Sequence, residues 1–265
     1  MLTIIDRAKL FMFGDAIGRP YEFMLRKGII SSGIIDAKSL LDKLRNKPFQ
    51  FNQVSDDTQL MYLTVKSIME GTNFYDELSN WYNSVVRISD APGDACIYAA
   101  KHSTPCEDSI GPGALMRMPA YCVVSMFKPH AFDVMINNAE MTHSSKHSTD
   151  VCKQFLDVIR HRKLINVAPH AVEDDAWTAE DILNRVMWLI QNFTSMDKFL
   201  YDCVVSDGDS DTVAAIGLFL ISYFYPAEAK EFLDFLNQYP FFEVNDYSWK
   251  LRHLVFYYMH RSDKD

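Results

Sequence analysis

Two short acidic segments carry the strongest chemical signal in the sequence. The first is SDD at residues 55–57, and the second is DGDSDT at residues 207–212, directly before a nearly uniform apolar run. Carboxylates crowded this closely repel one another unless a cation lies between them or solvent surrounds them. Carboxylate and hydroxyl oxygens are the ligands that hard cations such as Mg²⁺ and Mn²⁺ prefer. Brought together by the fold, the two segments offer enough oxygen atoms for two metal ions.

Helix capping is the alternative explanation for both segments. Asp and Ser are favoured at helix amino termini, where they bind free N–H groups and interact with the helix dipole. Either segment alone is therefore more often a cap than a metal site. A third acidic pair, Asp174–Asp175, is interpreted as a solvated approach to a helix. An EF-hand is excluded, because that loop requires Gly at the position of Thr212 and Glu at the position of Leu218.

The composition narrows the range of partners. The chain has 265 residues, of which 48% are hydrophobic and 23% are charged, as in an ordinary globular protein. Its net charge of −9 argues against a general nucleic-acid binder and against a protein that binds acidic membranes. A substrate with phosphate groups is compatible with this charge, since a bound divalent metal supplies positive charge locally.

Three further features predict a cytoplasmic protein. The five cysteines are widely spaced without a CxxC pair, which fits free thiols in a reducing compartment. Asp6, Arg7 and Lys9 interrupt the segment where a signal peptide needs an apolar run. No segment approaches the roughly 20 apolar residues of a membrane span. We expect a monomer without membrane association.

Helical periodicity dominates the rest of the sequence. In TQLMYLTVKSIMEG, apolar residues recur at three- and four-residue spacing, and Gly71 marks the end of the pattern. Thr178 and Asp181 form a capping-box pattern, and Pro226 stands at a first helical position. Signals for strands and linkers are scarce. The sequence therefore predicts one all-α domain over residues 1–265, with about ten helices.

Five segments taken together resemble a known family. They are, in chain order, FGDAIGRPYE, SDDTQLMY, GPGALMRMPA, MTHSS and GDSDTVAAI. With these motifs the chain is similar to the ADP-ribosylglycohydrolases, which include the dinitrogenase reductase-activating glycohydrolase and the ADP-ribosyl-acceptor hydrolases. The resemblance implies a compact, single-domain orthogonal helical bundle. It also implies a binuclear Mg²⁺ or Mn²⁺ centre at the base of a cleft.

The resemblance assigns a metal-binding role to both acidic segments. The ligands that it implies are Ser55, Asp56, Asp57, Asp209, Asp211 and Thr212. Two dications would then neutralise the crowded acids, and the apolar helix that follows would anchor the site in the core. Asp207 lies outside the ligand pattern and is expected to cap the helix or support the ligands.

Catalytic and substrate-binding roles follow from the same resemblance. Asp57 and Glu22 are expected to serve as the base and the acid, and which residue takes which role stays open. ADP-ribose is expected to contact Gly111, Gly113, Arg117 and His143. Asp15 is interpreted as a structural hydrogen-bonding residue. His143 and His147 lie four residues apart, but without an HExxH context they do not predict a zinc site.

The implied activity is hydrolysis of the bond between ribose C1″ and an acceptor. The substrate would be an ADP-ribosylated protein or a small ADP-ribose conjugate. One departure from the family motivates an alternative, a catalytically inactive, metal-containing ADP-ribose-binding protein: Pro112 replaces the asparagine that relatives carry, which removes one amide and one N–H group. A third hypothesis is a metal-dependent phosphoesterase, which would share the metals but would not need the matches at Glu22 and 111–117.

Overall fold

Helices account for nearly all of the regular structure. The computed structural model describes residues 1–22, 36–84, 92–169, 176–205 and 208–261. Its α-helices are α1 (Ile4–Gly18), α2 (Ala37–Asn46), α3 (Asp56–Glu70), α4 (Phe74–Ser84), α5 (Asp94–His102), α6 (Tyr121–Val124), α7 (Ala131–Glu140), α8 (Lys146–His161), α9 (Ala179–Gln191), α10 (Met196–Val204), α11 (Ser210–Phe224), α12 (Pro226–Leu236) and α13 (Phe242–Arg261). Short 3₁₀ segments include Arg19–Tyr21, Pro48–Phe51 and Leu115–Ala120. Within these ranges no strand forms, so the predicted all-α class is confirmed.

The predicted number of helices was too low. Thirteen α-helices lie within the described ranges, against the ten or so that the sequence suggested. The additional elements are short, and α6 has only 4 residues. A helix of one turn shows no repeat of its apolar positions, so periodicity cannot reveal it.

Local signals placed several helix ends correctly. Ser55 caps α3 through its hydroxyl, and Gly71 ends that helix with a φ of 70°. Thr178 and Asp181 form the predicted capping box at the start of α9. Pro226 is the first residue of α12. Each of these signals depends on the backbone of three or four neighbouring residues, which is why sequence alone was sufficient.

The centre of the molecule is the antiparallel pair α1 and α11. All residues of α11 from Ser210 to Ser222 are buried, and so are those of α1 from Leu10 to Gly18. A helix that is buried on every side must be surrounded by other helices, and here α3, α9, α10, α12 and α13 pack around the pair. The main hydrophobic cluster draws on residues from Leu2 to Val255. The assignment of 1–265 as a single domain stays a prediction.

Two glycines allow α1 and α11 to approach closely. A Cβ atom on Gly14 would overlap the backbone carbonyl of Ala214. A Cβ atom on Gly18 would lie 2.5 Å from the Cα atom of Asp211. Because any side chain would force the helices apart, these glycines fix the carboxyl end of α1 against the amino end of α11. Glu22, just beyond α1, is thereby held near the acidic residues that begin α11.

The opposite end of this helix pair is also fixed. The guanidinium of Arg7 in α1 donates hydrogen bonds to the carbonyl and the hydroxyl of Ser222 in α11. It also lies 4.1 Å from the centre of the Tyr223 ring. The bulky carboxyl half of α11 is packed by aromatic contacts, since the rings of Phe219 and Phe155 stack with their centres 6.0 Å apart. The helix that begins at the acidic segment is therefore anchored at both ends.

Two further features of the structure concern membrane-spanning helices and the cysteines. None of the described helices combines the length and the apolar character needed to span a membrane. All five cysteines are free thiols, and four of them are buried. No disulfide frame therefore contributes to this fold.

Candidate active site and metal centre

The two acidic segments line a common cleft of about 300 Å³. The cleft is formed by the amino ends of three helices and by the loop before residue 115. The residues that line it are Glu22, Asp56, Asp57, Gly93, Asp94, Ala95, Ser109, Gly111, Pro112, Gly113, Met116, His143, Trp177, Asp209, Asp211 and Thr212. We call Glu22 and the lining residues of the two acidic segments the acidic wall, and Gly111, Pro112, Gly113 and His143 the neutral wall.

A direct contact joins the two predicted ligand segments. The Thr212 hydroxyl donates a hydrogen bond to Oδ2 of Asp57 over 3.2 Å. The Ser55 hydroxyl lies 3.3 Å from the same oxygen atom and accepts a hydrogen bond from the Asp57 backbone N–H. Asp209 caps α11 by accepting from the Thr212 N–H over 3.2 Å. Both segments therefore cap a helix and also line the cleft. The capping interpretation and the metal-binding interpretation are thus compatible.

Asp15 connects α1 to the start of α3. Its carboxylate is fully buried and accepts hydrogen bonds from the backbone N–H of Ser55 at 2.9 Å and of Thr58 at 3.1 Å. Its neighbour Gly18 meanwhile fixes the start of α11. Helix α1 therefore positions both acidic segments, and Asp15 has the structural role that the sequence suggested.

The acidic wall is strongly crowded. Burial, together with the charges of Asp211 and Asp209, raises the pKa of Glu22 to about 11. Burial and then the neighbouring acids, Asp211 first, raise the pKa of Asp57 well above its ordinary value. Burial is also the main cause that raises the pKa of Asp15 to about 7, with Asp211 adding to it. At neutral pH these shifts favour the protonated forms of Glu22 and Asp57, and a bound cation would favour the ionised forms.

The donor atoms fit a hard divalent cation. Glu22, Asp209 and Asp211 each present one carboxylate oxygen, and these three atoms lie within 4.8 Å of one another. Oδ1 of Asp57 is buried without a hydrogen-bond partner among the described residues. A buried, unpaired carboxylate oxygen is costly unless a cation or a water molecule contacts it. Because every candidate donor on this wall is an oxygen atom, the set suits Mg²⁺ or Mn²⁺ better than a soft metal.

The comparison with family models decides the family. The ADP-ribosylglycohydrolase model matches residues 11–161, which is more than half of the chain and includes Glu22, 55–57 and His143. The chain belongs to the ADP-ribosylglycohydrolase family. ADP-ribosylglycohydrolases are enzymes that hydrolyse glycosidic bonds in ADP-ribosylated substrates, and they are generally metal-dependent. The acidic wall has the composition that such a metal needs.

A solved structure extends the similarity to nearly the whole chain. A chain of an "ADP-ribosylglycohydrolase-related protein complex" has a TM-score of 0.59, with 95% of this chain and 99% of that chain covered. The two sequences are 17% identical, so this similarity concerns the fold. The comparison with curated proteins gives no match. The shared fold therefore extends well beyond residue 161, where the match to the family model ends.

Three of the four predicted substrate-binding residues belong to the neutral wall of the cleft. Gly111 and Gly113 line the cleft together with His143. Burial, with a smaller effect of the Arg117 charge, lowers the pKa of His143 to about 3. The imidazole is therefore neutral over the physiological pH range. The neutral wall therefore offers uncharged groups in the same cleft as the acids.

Arg117 has a different place from the one predicted. Its side chain is fully buried and does not line the cleft. The guanidinium donates to the carbonyl of Gly113 over 3.0 Å and to Oδ1 of Asn138 over 2.5 Å. It therefore supports the loop from behind, and direct contact with ADP-ribose is not compatible with this position. A motif match identifies such a residue but does not reveal the direction of its side chain.

Several other residues in the cleft were not predicted from the sequence. Asp94 begins α5 after a Pro-Gly pair, a pattern that marks an ordinary helix start as often as a site. Trp177 lines the cleft beside the start of α9. Both lie far in sequence from the acidic segments, so only the tertiary fold brings them there. The expectations for Asp207 and for Asp174–Asp175 fall outside the described residues.

Proposed function

We propose that this ADP-ribosylglycohydrolase uses divalent metal ions to release ADP-ribose from an acceptor, such as a modified arginine side chain or a small conjugate. The observation that carries the proposal is the meeting of Asp57 and Thr212 in one cleft, with Oδ1 of Asp57 buried and unpaired. A metal-dependent phosphoesterase would also have crowded acids in its cleft, so the acidic cluster alone does not distinguish the two activities. The match to the family over residues 11–161 favours glycosidic bond cleavage instead.

Two Mg²⁺ or Mn²⁺ ions would be held by the two helix starts. Their ligands would be Ser55, Asp56, Asp57, Asp209, Asp211 and Thr212, all of which lie in or directly beside the cleft. When bound, divalent cations supply Lewis-acid chemistry, offset the carboxylate charge and lower the pKa of nearby water. The amino ends of α3 and α11 add a smaller positive potential at the same place.

Glu22 and Asp57 are the candidates for proton transfer. One carboxylate would take a proton from the attacking water, and the other group would give a proton to the leaving acceptor. As the bond at ribose C1″ breaks, positive charge grows on that carbon, and the neighbouring carboxylates stabilise it. Oδ2 of Asp57 is already bonded to Thr212 and lies near Ser55, so its unpaired Oδ1 is the oxygen atom free to act.

The neutral wall would hold the ADP-ribose part of the substrate. Gly111 and Gly113 bring the backbone to the surface of the cleft, and at Gly113 a side chain would collide with Cys96 and His143. Backbone N–H groups before a short helix suit phosphate oxygens. Trp177 offers an aromatic ring in the same cleft. In this proposal the acidic wall takes part in catalysis and the neutral wall binds ADP-ribose.

A second candidate function is an ADP-ribose-binding protein without turnover. Pro112 favours it, because this residue lines the cleft and lacks the N–H group and amide of the asparagine in relatives. The loop remains ordered by the hydrogen bond from the Met116 N–H to the Pro112 carbonyl, 2.9 Å long. Retention of all six ligand positions favours an active enzyme over this alternative.

The test is release of ADP-ribose under defined metal conditions. Peptides with ADP-ribosyl-arginine or ADP-ribosyl-serine are incubated with the protein in Mg²⁺, in Mn²⁺ or in chelator, and free ADP-ribose is measured by chromatography. We expect release with metal and none with chelator or in Asp57→Asn. The control Asp133→Asn changes an exposed acid in the first turn of α7 and should keep full activity. Tight binding of ADP-ribose without release from any acceptor would favour the second candidate.

A further inference from the structure

Arg117 is a buried cation that is held entirely by uncharged groups. Its Nε donates to Gly113 O over 3.0 Å, and Nη1 donates to Asn138 Oδ1 over 2.5 Å. Nη2 lies within reach of three acceptors, namely Asn138 O at 3.2 Å, Ala139 O at 3.3 Å and Thr142 Oγ1 at 2.5 Å. Removing a guanidinium from water is expensive, and these acceptors offset much of that cost.

The Thr142 hydroxyl connects this cation to His143. The hydroxyl has one hydrogen atom to donate and two lone pairs to accept with, and Arg117 uses one lone pair. The hydrogen atom has two candidate acceptors, Ala139 O at 3.3 Å and Nδ1 of His143 at 2.9 Å. The contact to Nδ1 is the shorter of the two.

The carbonyl of Ala139 is already occupied. It accepts from the backbone N–H of Thr142 at 3.1 Å and of His143 at 3.0 Å, and Arg117 lies 3.3 Å away. A carbonyl oxygen has two lone pairs, so a further donor gains little there. A hydroxyl that accepts from a cation is also a stronger donor, because the bonds polarise one another. The hydrogen atom of Thr142 is therefore directed to Nδ1.

The direction of the hydrogen bond from the Thr142 hydroxyl determines which ring nitrogen of His143 carries the proton. A neutral imidazole whose Nδ1 accepts must carry its proton on Nε2. His143 lines the cleft, and with Nδ1 against Thr142 its Cε1–Nε2 edge lies against Gly113, which lines the same cleft. The ring is buried, and its pKa is lowered to about 3, which agrees with a neutral state.

We propose that Arg117 is a positioning residue that acts through Thr142 to fix His143 as a neutral Nε2–H donor, which binds an oxygen atom of ADP-ribose. The proposal rests on the proposed function for the identity of the ligand. It also explains why a residue of the glycine-rich motif lies behind the cleft. One guanidinium holds both the Gly113 carbonyl and the histidine, so the neutral wall is fixed as a unit.

The tautomer of His143 can be measured directly. In protein with ¹⁵N-labelled histidine, the two ring nitrogens report by NMR which of them carries the proton, and loss of signals in His143→Gln assigns them. We expect the Nε2–H form in the wild type and in Thr142→Ser, which keeps the hydroxyl. Thr142→Val keeps the shape but removes the hydroxyl and should produce a mixture of tautomers. An Nδ1–H form in the wild type, or an unchanged spectrum in Thr142→Val, would overturn the proposal.

Binding of ADP-ribose provides the second measurement. Calorimetry should show that Thr142→Val weakens binding between about threefold and tenfold, which corresponds to one hydrogen bond, while Thr142→Ser stays near the wild type. His143→Gln, whose amide NH₂ can reach the Nε2 position, should bind more tightly than His143→Asn. Equal binding by these two variants would contradict the donor role, and this pair decides the matter even where Thr142→Val does not fold.

Failure of the inference and failure of the proposed function give different results. The tautomer measurement needs neither metal nor substrate, so it stands if no acceptor is hydrolysed. An enzyme that releases ADP-ribose but shows the Nδ1–H form would overturn the inference alone. A protein with the Nε2–H form but no affinity for ADP-ribose would overturn the ligand assignment.

Discussion

The Thr212 hydroxyl lies 3.2 Å from Oδ2 of Asp57, although 155 positions separate the two residues in the sequence. The contact joins the first turns of α3 and α11, so the amino ends of two helices meet at one wall of the cleft. Positive helix termini favour nearby carboxylates. This partly offsets the repulsion within the acidic cluster, and a divalent cation would offset the rest.

The first prediction concerns the stability that metal adds. Without metal, Asp57 keeps an unpaired buried oxygen, so Mn²⁺ should raise the free energy of unfolding. At a concentration of 100 times the dissociation constant the gain is about 2.7 kcal/mol, measured as the difference between denaturation curves with and without Mn²⁺. Asp57→Asn should lose most of this gain, whereas the exposed control Asp133→Asn should keep it. The same gain in both variants would show that metal binds elsewhere.

The second prediction compares two glycines of one loop. A Cβ atom on Gly113 would lie 2.8 Å from both Cys96 Sγ and His143 Cε1, closer than real contacts allow. A Cβ atom on Gly111 would meet only Ser109 Oγ, at an ordinary 3.7 Å. We therefore expect Gly113→Ala to displace the imidazole and lower the affinity for ADP-ribose at least tenfold. Gly111→Ala should change it less than threefold, as measured by calorimetry.

The sequence predicted those features that depend on neighbouring residues. The cap at Ser55, the helix end at Gly71 and the capping box at Thr178 each involve hydrogen bonds within one turn. Local patterns could not predict that residues 55–57 lie next to residues 209–212 in the fold. Their proximity was expected only from the resemblance, because a contact over 155 positions leaves no local pattern.

Burial explains what the sequence left open. Arg117 follows a glycine-rich loop, where a cation would ordinarily contact phosphate, and yet its side chain points into the core. Asp94 and Trp177 line the cleft because distant helices converge there. Side-chain direction and convergence are tertiary properties, so neither follows from spacing along the chain.

The third prediction tests the close contact between α1 and α11. Alanine at Gly18 would place Cβ 2.5 Å from the Cα atom and backbone of α11, so one helix must shift. We expect Gly18→Ala to lose about 1–3 kcal/mol of stability and most of its Mn²⁺ response. The control Gly71→Ala has open space but a φ of 70°, and it should lose about 1 kcal/mol and keep the response. Denaturation curves with and without Mn²⁺ measure both quantities, and a full response in Gly18→Ala would contradict this role of α1.

The last prediction concerns acid stability. Burial, and to a smaller degree the charge of Arg117, lowers the pKa of His143 from 6.5 to about 3. Between pH 6.5 and pH 3 the unfolded chain therefore binds a proton at this residue that the folded chain does not bind. Stability is therefore lost as the pH falls from 6.5 towards 3. Between pH 7 and pH 5 the loss from this group alone is about 2 kcal/mol.

The variant His143→Gln isolates this effect, since glutamine does not titrate. Chelated wild type and His143→Gln are unfolded with urea at pH 7 and at pH 5, and the change in unfolding free energy is compared. We expect the wild type to lose about 2 kcal/mol more than the variant over this interval. The other titrating groups, including those of the acidic wall, are present in both proteins, so their contributions largely cancel in the difference. Equal losses would mean that His143 accepts a proton in the folded state near its ordinary pKa. The neutral wall would then accommodate a charged imidazole.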